Sequence, residues 1–95
     1  MKKAQVVHAR VPDDRRDEYL EAWSDWSGQL FSMGIECELL ESEEERGRFV
    51  ELTWFEEGDV AAMADDRLAR IDDRMGRAAA ERRGSRELYR RRGEE

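Results

Sequence analysis

Residues 35–55 carry the most restrictive pattern in the chain, two alternating runs joined by a charged turn. Ile35-Glu36-Cys37-Glu38-Leu39-Leu40 alternates apolar with acidic side chains, which in a strand puts Ile35, Cys37 and Leu39 on one buried face. Residues 41–47 form an acidic turn ending in Gly47, and Arg48–Phe55 reads as the second strand of an antiparallel hairpin. That second strand is apolar on both faces: Val50, Leu52 and Trp54 share one, and Phe49, Glu51, Thr53 and Phe55 the other. A strand of this kind belongs at the centre of a sheet or beneath a partner.

Helical periodicity flanks the hairpin on both sides. Over residues 14–33, Tyr19, Leu20, Trp23, Trp26, Leu30 and Met33 recur at steps of three and four, and Gly34 stands where a left-handed cap ends a helix. A second helix is expected over residues 59–82, with Val60, Met63, Ala64, Leu68, Ile71, Met75, Ala78 and Ala79 as its stripe and acid-to-Arg ion pairs along its outer side. Before them, residues 5–11 read as a strand stopped by Pro12, with Val7, Ala9 and Val11 on one face and Val6, His8 and Arg10 on the other. After them, residues 86–90 are expected to form a last strand, with a short helix over 86–92 as its rival, and residues 91–95 a loose tail.

The order β-α-β-β-α-β is the ferredoxin-like α+β arrangement, one antiparallel sheet with two helices on one face. A single domain over the 95 residues is expected, since two cores would each be too small to fold alone. The uncovered face is expected to carry Phe49, Phe55, Leu40 and Val6 beside His8, Arg10, Glu36, Glu38, Glu51 and Thr53. Exposing that much apolar surface favours association. A homodimer pairing two such faces follows, with Phe49, Phe55 and Leu40 as candidate interface residues.

Composition excludes several classes of partner. The formal net charge is −7, from 24 acidic and 17 basic residues, so attraction to nucleic acid or an anionic membrane is not expected. No apolar run approaches the roughly 20 residues of a membrane helix. Met1-Lys2-Lys3 lacks a following apolar secretory core, so no signal peptide is expected and the setting is read as cytoplasmic. The single cysteine, Cys37, excludes an internal disulfide and a cysteine-based zinc site. Fifteen of the basic residues are Arg and asparagine is absent, a bias that fits a GC-rich genome or adaptation to salt or heat.

The stretch Gly34-Ile35-Glu36-Cys37-Glu38-Leu39-Leu40-Glu41-Ser42, followed by Gly47-Arg48-Phe49-Val50-Glu51-Leu52-Thr53-Trp54-Phe55-Glu56, resembles the antibiotic biosynthesis monooxygenase-like superfamily of dimeric α+β barrels. The resemblance covers roughly residues 4–90 and rests on element order and hairpin character. It implies a homodimer whose sheets form a barrel, with a pocket between each sheet and its helices. Haem-degrading members use a His on the second helix, whereas the only His here is His8, on the first strand. Cofactor-free oxygenases of the family commonly rely on Asn and Trp, and this chain has no Asn. No cofactor and no metal site are therefore expected.

The candidate chemistry is sparse. His8 is the one side chain that titrates near neutrality unaided, and with Glu51 it is the candidate catalytic pair; Glu36 and Glu38 are alternative carboxylate partners. Arg10, Trp26, Phe31 and Trp54 are candidate lining residues for a pocket holding a small aromatic ligand. Each also has a structural explanation: Trp side chains at helical spacing form core, and strand carboxylates form ion pairs. Cys37 is read as core. The C-terminal arginines are expected to pair with the acidic turn at residues 41–45. Because the family's catalytic residue types are missing, the expected function is a non-catalytic binding or assembly module. The alternative is a cofactor-independent monooxygenase-like or isomerase-like enzyme.

Overall fold

The computed structural model describes residues 2–59, 61–85 and 87–92. Four strands, β1 (Lys3–Arg10), β2 (Glu36–Glu41), β3 (Arg48–Phe55) and β4 (Glu81–Gly84), form one antiparallel sheet in the order β2-β3-β1-β4. Helices α1 (Arg16–Ser32) and α2 (Asp66–Ala78) connect β1 to β2 and β3 to β4. This is the ferredoxin-like α+β arrangement, and the doubly apolar Arg48–Phe55 lies inside the sheet between β2 and β1.

Both helices pack on one face of the sheet. Tyr19 and Ala22 of α1 and Met75 and Ala78 of α2 meet Ala9, Val11 and Phe49 in the main core, with Trp23, Trp26 and Leu39 packed around it. Leu30, Ile35 and Leu68 form a second cluster toward the other end, joined to the first through Trp26. Tyr19 and Phe49 pack with ring centroids 4.9 Å apart.

The faces of β3 are the reverse of the sequence expectation. Phe49 is 2% exposed beneath the helices, and Glu51 and Thr53 are buried on the same side. The register explains this: Glu51 lies opposite Leu39 and Thr53 opposite Cys37, and directly opposed residues share a face. Alternation divides a strand into two faces but does not say which one the helices cover, and a one-residue slip exchanges them. Phe49 and Phe55 thus stand on the helix-covered side and are corrected as candidates for an open-face interface. Leu40, 48% exposed, does lie on the open face, opposite Val50.

The second helical region is shorter than its apolar stripe. A 3-10 turn at Ala62–Ala64 precedes α2, Asp65 is extended, and its Oδ1 accepts the Arg67 N–H at 2.7 Å, an N-cap that starts the helix afresh. At the other end Ala79 is extended and the Ala80 N–H donates to the Arg10 carbonyl, so β4 begins at Glu81. The last strand therefore stands at Glu81–Gly84, and within 87–90 the pairing with β1 among the described residues is the bridge of Tyr89 to Ala4. Helix propensity favours continuing through Ala79 and Ala80, but pairing with β1 outweighs so weak a local preference. The parts of these expectations falling on Val60, Arg86 and residues 93–95 lie outside the described residues.

The β2–β3 turn is held by charge and by glycine. Arg16 donates to both Glu41 carboxylate oxygens at 2.6 Å, and Glu41 Oε2 also accepts the Gly47 N–H at 2.9 Å. The acidic turn is thus tied chiefly to α1, and Glu45 pairs with Arg48. The C-terminal arginines go elsewhere: Arg74 reaches Asp25, Arg82 reaches Glu51 and Asp72, and Arg91 reaches Glu36. Arg16's hydrogen bonds, followed by that of the Gly47 N–H, lower the Glu41 carboxyl to about 2. Gly47 has φ +87°, and its backbone runs against the Val11 carbonyl so closely that a Cβ would collide with it.

Two outcomes follow from this turn. Gly47→Ala should cost about 1–3 kcal/mol, through both the left-handed backbone and the collision with Val11, measured by urea unfolding. A wild-type midpoint would show that the turn relaxes freely. Because the folded state holds the Glu41 carboxyl below its ordinary value near 4.5, its contribution is complete above that value and is lost as pH falls toward 2. Solvent screens the pair, so Glu41→Gln should lose no more than about 1 kcal/mol at neutral pH. The difference from wild type should shrink in thermal melts between pH 4.5 and 2; a constant difference would contradict the pairing.

Candidate functional site

A charged cluster lies between sheet and helices, beside the apolar core. Glu51 on β3 is 3% exposed and Tyr19 on α1 is fully buried. The Tyr19 hydroxyl donates to Glu51 Oε2 at 2.6 Å, and Arg82 on β4 donates from Nε to the same oxygen at 2.9 Å and from Nη2 to Oε1 at 2.8 Å. Arg82 Nη1 donates onward to Asp72 of α2 at 2.7 Å. Two helices and two strands therefore meet in one network.

Its electrostatics are those of a closed ion pair. A carboxylate buried without a partner is costly, and the planar guanidinium fork matches its two oxygens. Burial, and next the Glu51 charge, push the Tyr19 hydroxyl above its usual range, so it stays protonated and donates. Burial disfavours the Arg82 cation, but the Glu51 and Asp72 hydrogen bonds and charges outweigh it and raise the guanidinium above its ordinary value. Three hydrogen bonds from protein donors thus hold the two Glu51 oxygens. Sequence reading singled out Glu51 but missed the parts played by Tyr19, Asp72 and Arg82. The fork-matching Arg lies 31 residues from Glu51, and no spacing rule reveals such a pair.

The other candidates lie on the open face, in rows set by register. Leu40, Val50, His8 and Arg83 form one row, Glu38, Leu52 and Val6 a second, and Glu36, Trp54 and Ala4 a third. His8 and Glu51 are on opposite sides of the sheet, so the candidate catalytic pair is not assembled. Glu36 and Glu38 stand in other rows, across β3, so they do not flank His8 either. Arg10 pairs with Glu81 at 2.9 Å. A cleft of about 350 Å³ at this end of the face is lined by His8, Arg10, Arg48, Arg83, Glu45 and Glu81, with Ala9 at its base.

The aromatic candidates are dispersed. Trp54 lies on the open face beneath Arg91, whose guanidinium carbon is 4.2 Å from the ring centroid and which also reaches Glu36 at 3.4 Å. Trp26 packs between the two core clusters. The Nε1 atoms of both are buried without a hydrogen-bond partner among the described residues. Phe31 is 85% exposed on α1, beside a shallow groove lined by Ser27, Gly28, Ile35, Glu36 and Cys37. Cys37 is half-buried, and burial, then the Glu36 and Glu38 charges, raise its thiol pKa away from reactive thiolate. Arg10 thus lines the first cleft and Phe31 the shallow groove, while Trp26 lies in the core and Trp54 under Arg91. Among the described residues no group of three or more His, Cys, Asp or Glu side chains is placed to hold a metal, and no helix is long and apolar enough to cross a membrane.

Comparison with known proteins bears on the fold. No protein-family profile and no curated protein matches the chain. Among solved structures, it is similar to a protein named as an antibiotic biosynthesis monooxygenase candidate from Nitrosomonas europaea, with a TM-score of 0.81, 22% identity and coverage of 98% of this chain and 92% of that one. It is also similar to a conserved protein from Methanosarcina mazei Go1, with a TM-score of 0.82, 13% identity and coverage of 97% and 94%. A mutant of a cofactor-independent oxygenase from Streptomyces nogalater gives a TM-score of 0.80 at 10% identity, covering 96% and 93%. The chain shares the fold of these structures and of others named as antibiotic biosynthesis monooxygenases, in line with the hairpin resemblance.

The buried network should dominate the response to substitution. Arg82→Ala leaves the Glu51 charge unpaired in the core and should cost about 3–5 kcal/mol. Tyr19→Phe removes one donor and should cost about 1–2 kcal/mol. Urea denaturation of both variants measures the order; an Arg82→Ala protein as stable as wild type would show that the ion pair does not hold the fold.

Proposed function

We propose that this chain, with the fold of the antibiotic biosynthesis monooxygenase-like superfamily, is a non-catalytic homodimeric binding or assembly module of the cytoplasm. The observation that carries the reading is the Tyr19–Glu51–Arg82–Asp72 network, which lies between sheet and helices, where the resemblance implies a pocket. Three protein donors already engage the Glu51 carboxylate, and the single imidazole lies on the far side of the sheet, so no acid-base pair is assembled between them.

The open face supports the homodimer. Leu40, Val50, Val6, Leu52 and Trp54 occupy adjacent rows there, while both helices pack on the opposite side. A second copy covering this face would bury the rows, and the strongly acidic chain would need the apolar contact to overcome its own repulsion. Sheet-to-sheet pairing of this kind is also what the superfamily resemblance implies.

The experiment has two arms. Light scattering at micromolar concentration should give twice the 11.2 kDa chain mass, and Leu52→Glu should return the protein to monomer with its circular dichroism spectrum intact. A monomeric wild type would overturn the dimer. Oxygen uptake with a panel of phenols and hydroquinones should stay at the buffer rate. Turnover that His8→Gln or Tyr19→Phe abolishes would overturn the non-catalytic reading in favour of a cofactor-independent oxygenase, the activity named for the Streptomyces nogalater neighbour.

A further inference from the structure

We propose that the cleft lined by His8, Arg10, Arg48 and Arg83 is a binding site for a small oxyanion, a carboxylate or phosphate group. The inference goes beyond the dimer reading and does not need it: His8 and Arg83 continue the row of Leu40 and Val50, but at its β1–β4 end, beside Arg10 and Arg48.

The first support is the concentration of charge. The chain has a net charge of −7, yet this cleft gathers three arginines and the sole histidine against only Glu45 and Glu81. The second is their placement. Arg10 stands directly opposite Arg48 in the β1–β3 ladder, and His8 directly opposite Arg83 in the β1–β4 ladder. Like charges opposed across strands oppose folding, and here each is offset by one exposed carboxylate, Glu81 for Arg10 and Glu45 for Arg48. A shared anion between them removes the repulsion.

The third support is the availability of donors. Among the described residues, the Arg83 and His8 side chains make no hydrogen bond or ion pair. Arg10 and Arg48 each hold one carboxylate, but side-chain exposures of 57% and 56% in one pair and 66% and 51% in the other make these bonds easy to exchange. Guanidinium forks present paired N–H donors at the spacing of carboxylate or phosphate oxygens, and the imidazole adds another donor from the same row. The cleft of about 350 Å³ accommodates a small molecule around that group, while its short extent and the acidic remainder of the chain do not suit a polynucleotide.

The test uses the single imidazole as reporter. Inorganic phosphate and succinate are titrated separately into the full chain at constant ionic strength and pH, following the His8 ring resonances by NMR. A saturable shift is expected with at least one of them, and the anion that saturates at lower concentration identifies the chemistry. Arg83→Gln should weaken that binding about tenfold or more, the effect of losing one charge-assisted contact. Arg48→Gln should weaken it as well, which keeps the test valid if one variant misfolds. Arg70→Gln, the same charge change on an exposed residue of α2, should leave the curve unchanged. Shifts that stay linear for both anions, or equal curves for Arg83→Gln and Arg70→Gln, would overturn the proposal.

Discussion

A carboxylate in the core is the constraint on which much of this structure depends. Glu51 is buried among apolar side chains, and a lone charge there would favour unfolding. It is stable because Arg82 clasps both of its oxygens and Tyr19 caps one. Arg82 stands on the covered face of the sheet because β4 pairs with β1 at Glu81–Gly84 with Arg82 opposite the buried Ala9, after α2 ends at Ala78. One ion pair thus joins the central strand to the last strand and, through Asp72, to the second helix.

The same pair shapes the surface. Turning Glu51, Phe49 and Thr53 toward the helices turns Val50, Leu52 and Trp54 outward. The open face therefore inherits Val50, Leu52 and Trp54, and the polar network lies beneath the helices. The chain shares its backbone arrangement with the solved structures it resembles, while its largely apolar interior holds one buried carboxylate with its hydrogen-bond donors. Shared topology does not transfer a reaction, because chemistry resides in side chains placed on the fold.

Charge pairing elsewhere runs between elements more than along them. Arg16 of α1 holds Glu41 of β2, Arg74 of α2 holds Asp25 of α1, and Asp72 of α2 holds Arg82 of β4. Helical spacing led to the expectation of ion pairs within α2, but long Arg side chains also reach neighbouring elements. Arg16 does more than pair: its guanidinium carbon lies 5.4 Å from the centroid of the Phe49 ring, so the salt bridge also covers the edge of the core.

Local pattern was enough to determine several features. The strand Arg48–Phe55, the helix around Tyr19 to Leu30, the glycine cap at Gly34 and the antiparallel hairpin all follow from periodicities of two and 3.6 and from glycine's access to positive φ. The element order, and with it the fold class, was legible for the same reason. What only the tertiary structure decided was orientation and distant pairing. Alternation cannot say which face of β3 meets the helices, so Phe49 and Glu51 were assigned to the open side although both are buried. Nor does spacing reveal that Arg82, within a stretch that reads as helix, becomes the partner of Glu51, or that His8 and Arg83 face each other across two strands. These facts depend on register and on the cost of burying charge, which arise only when segments remote in sequence come into contact.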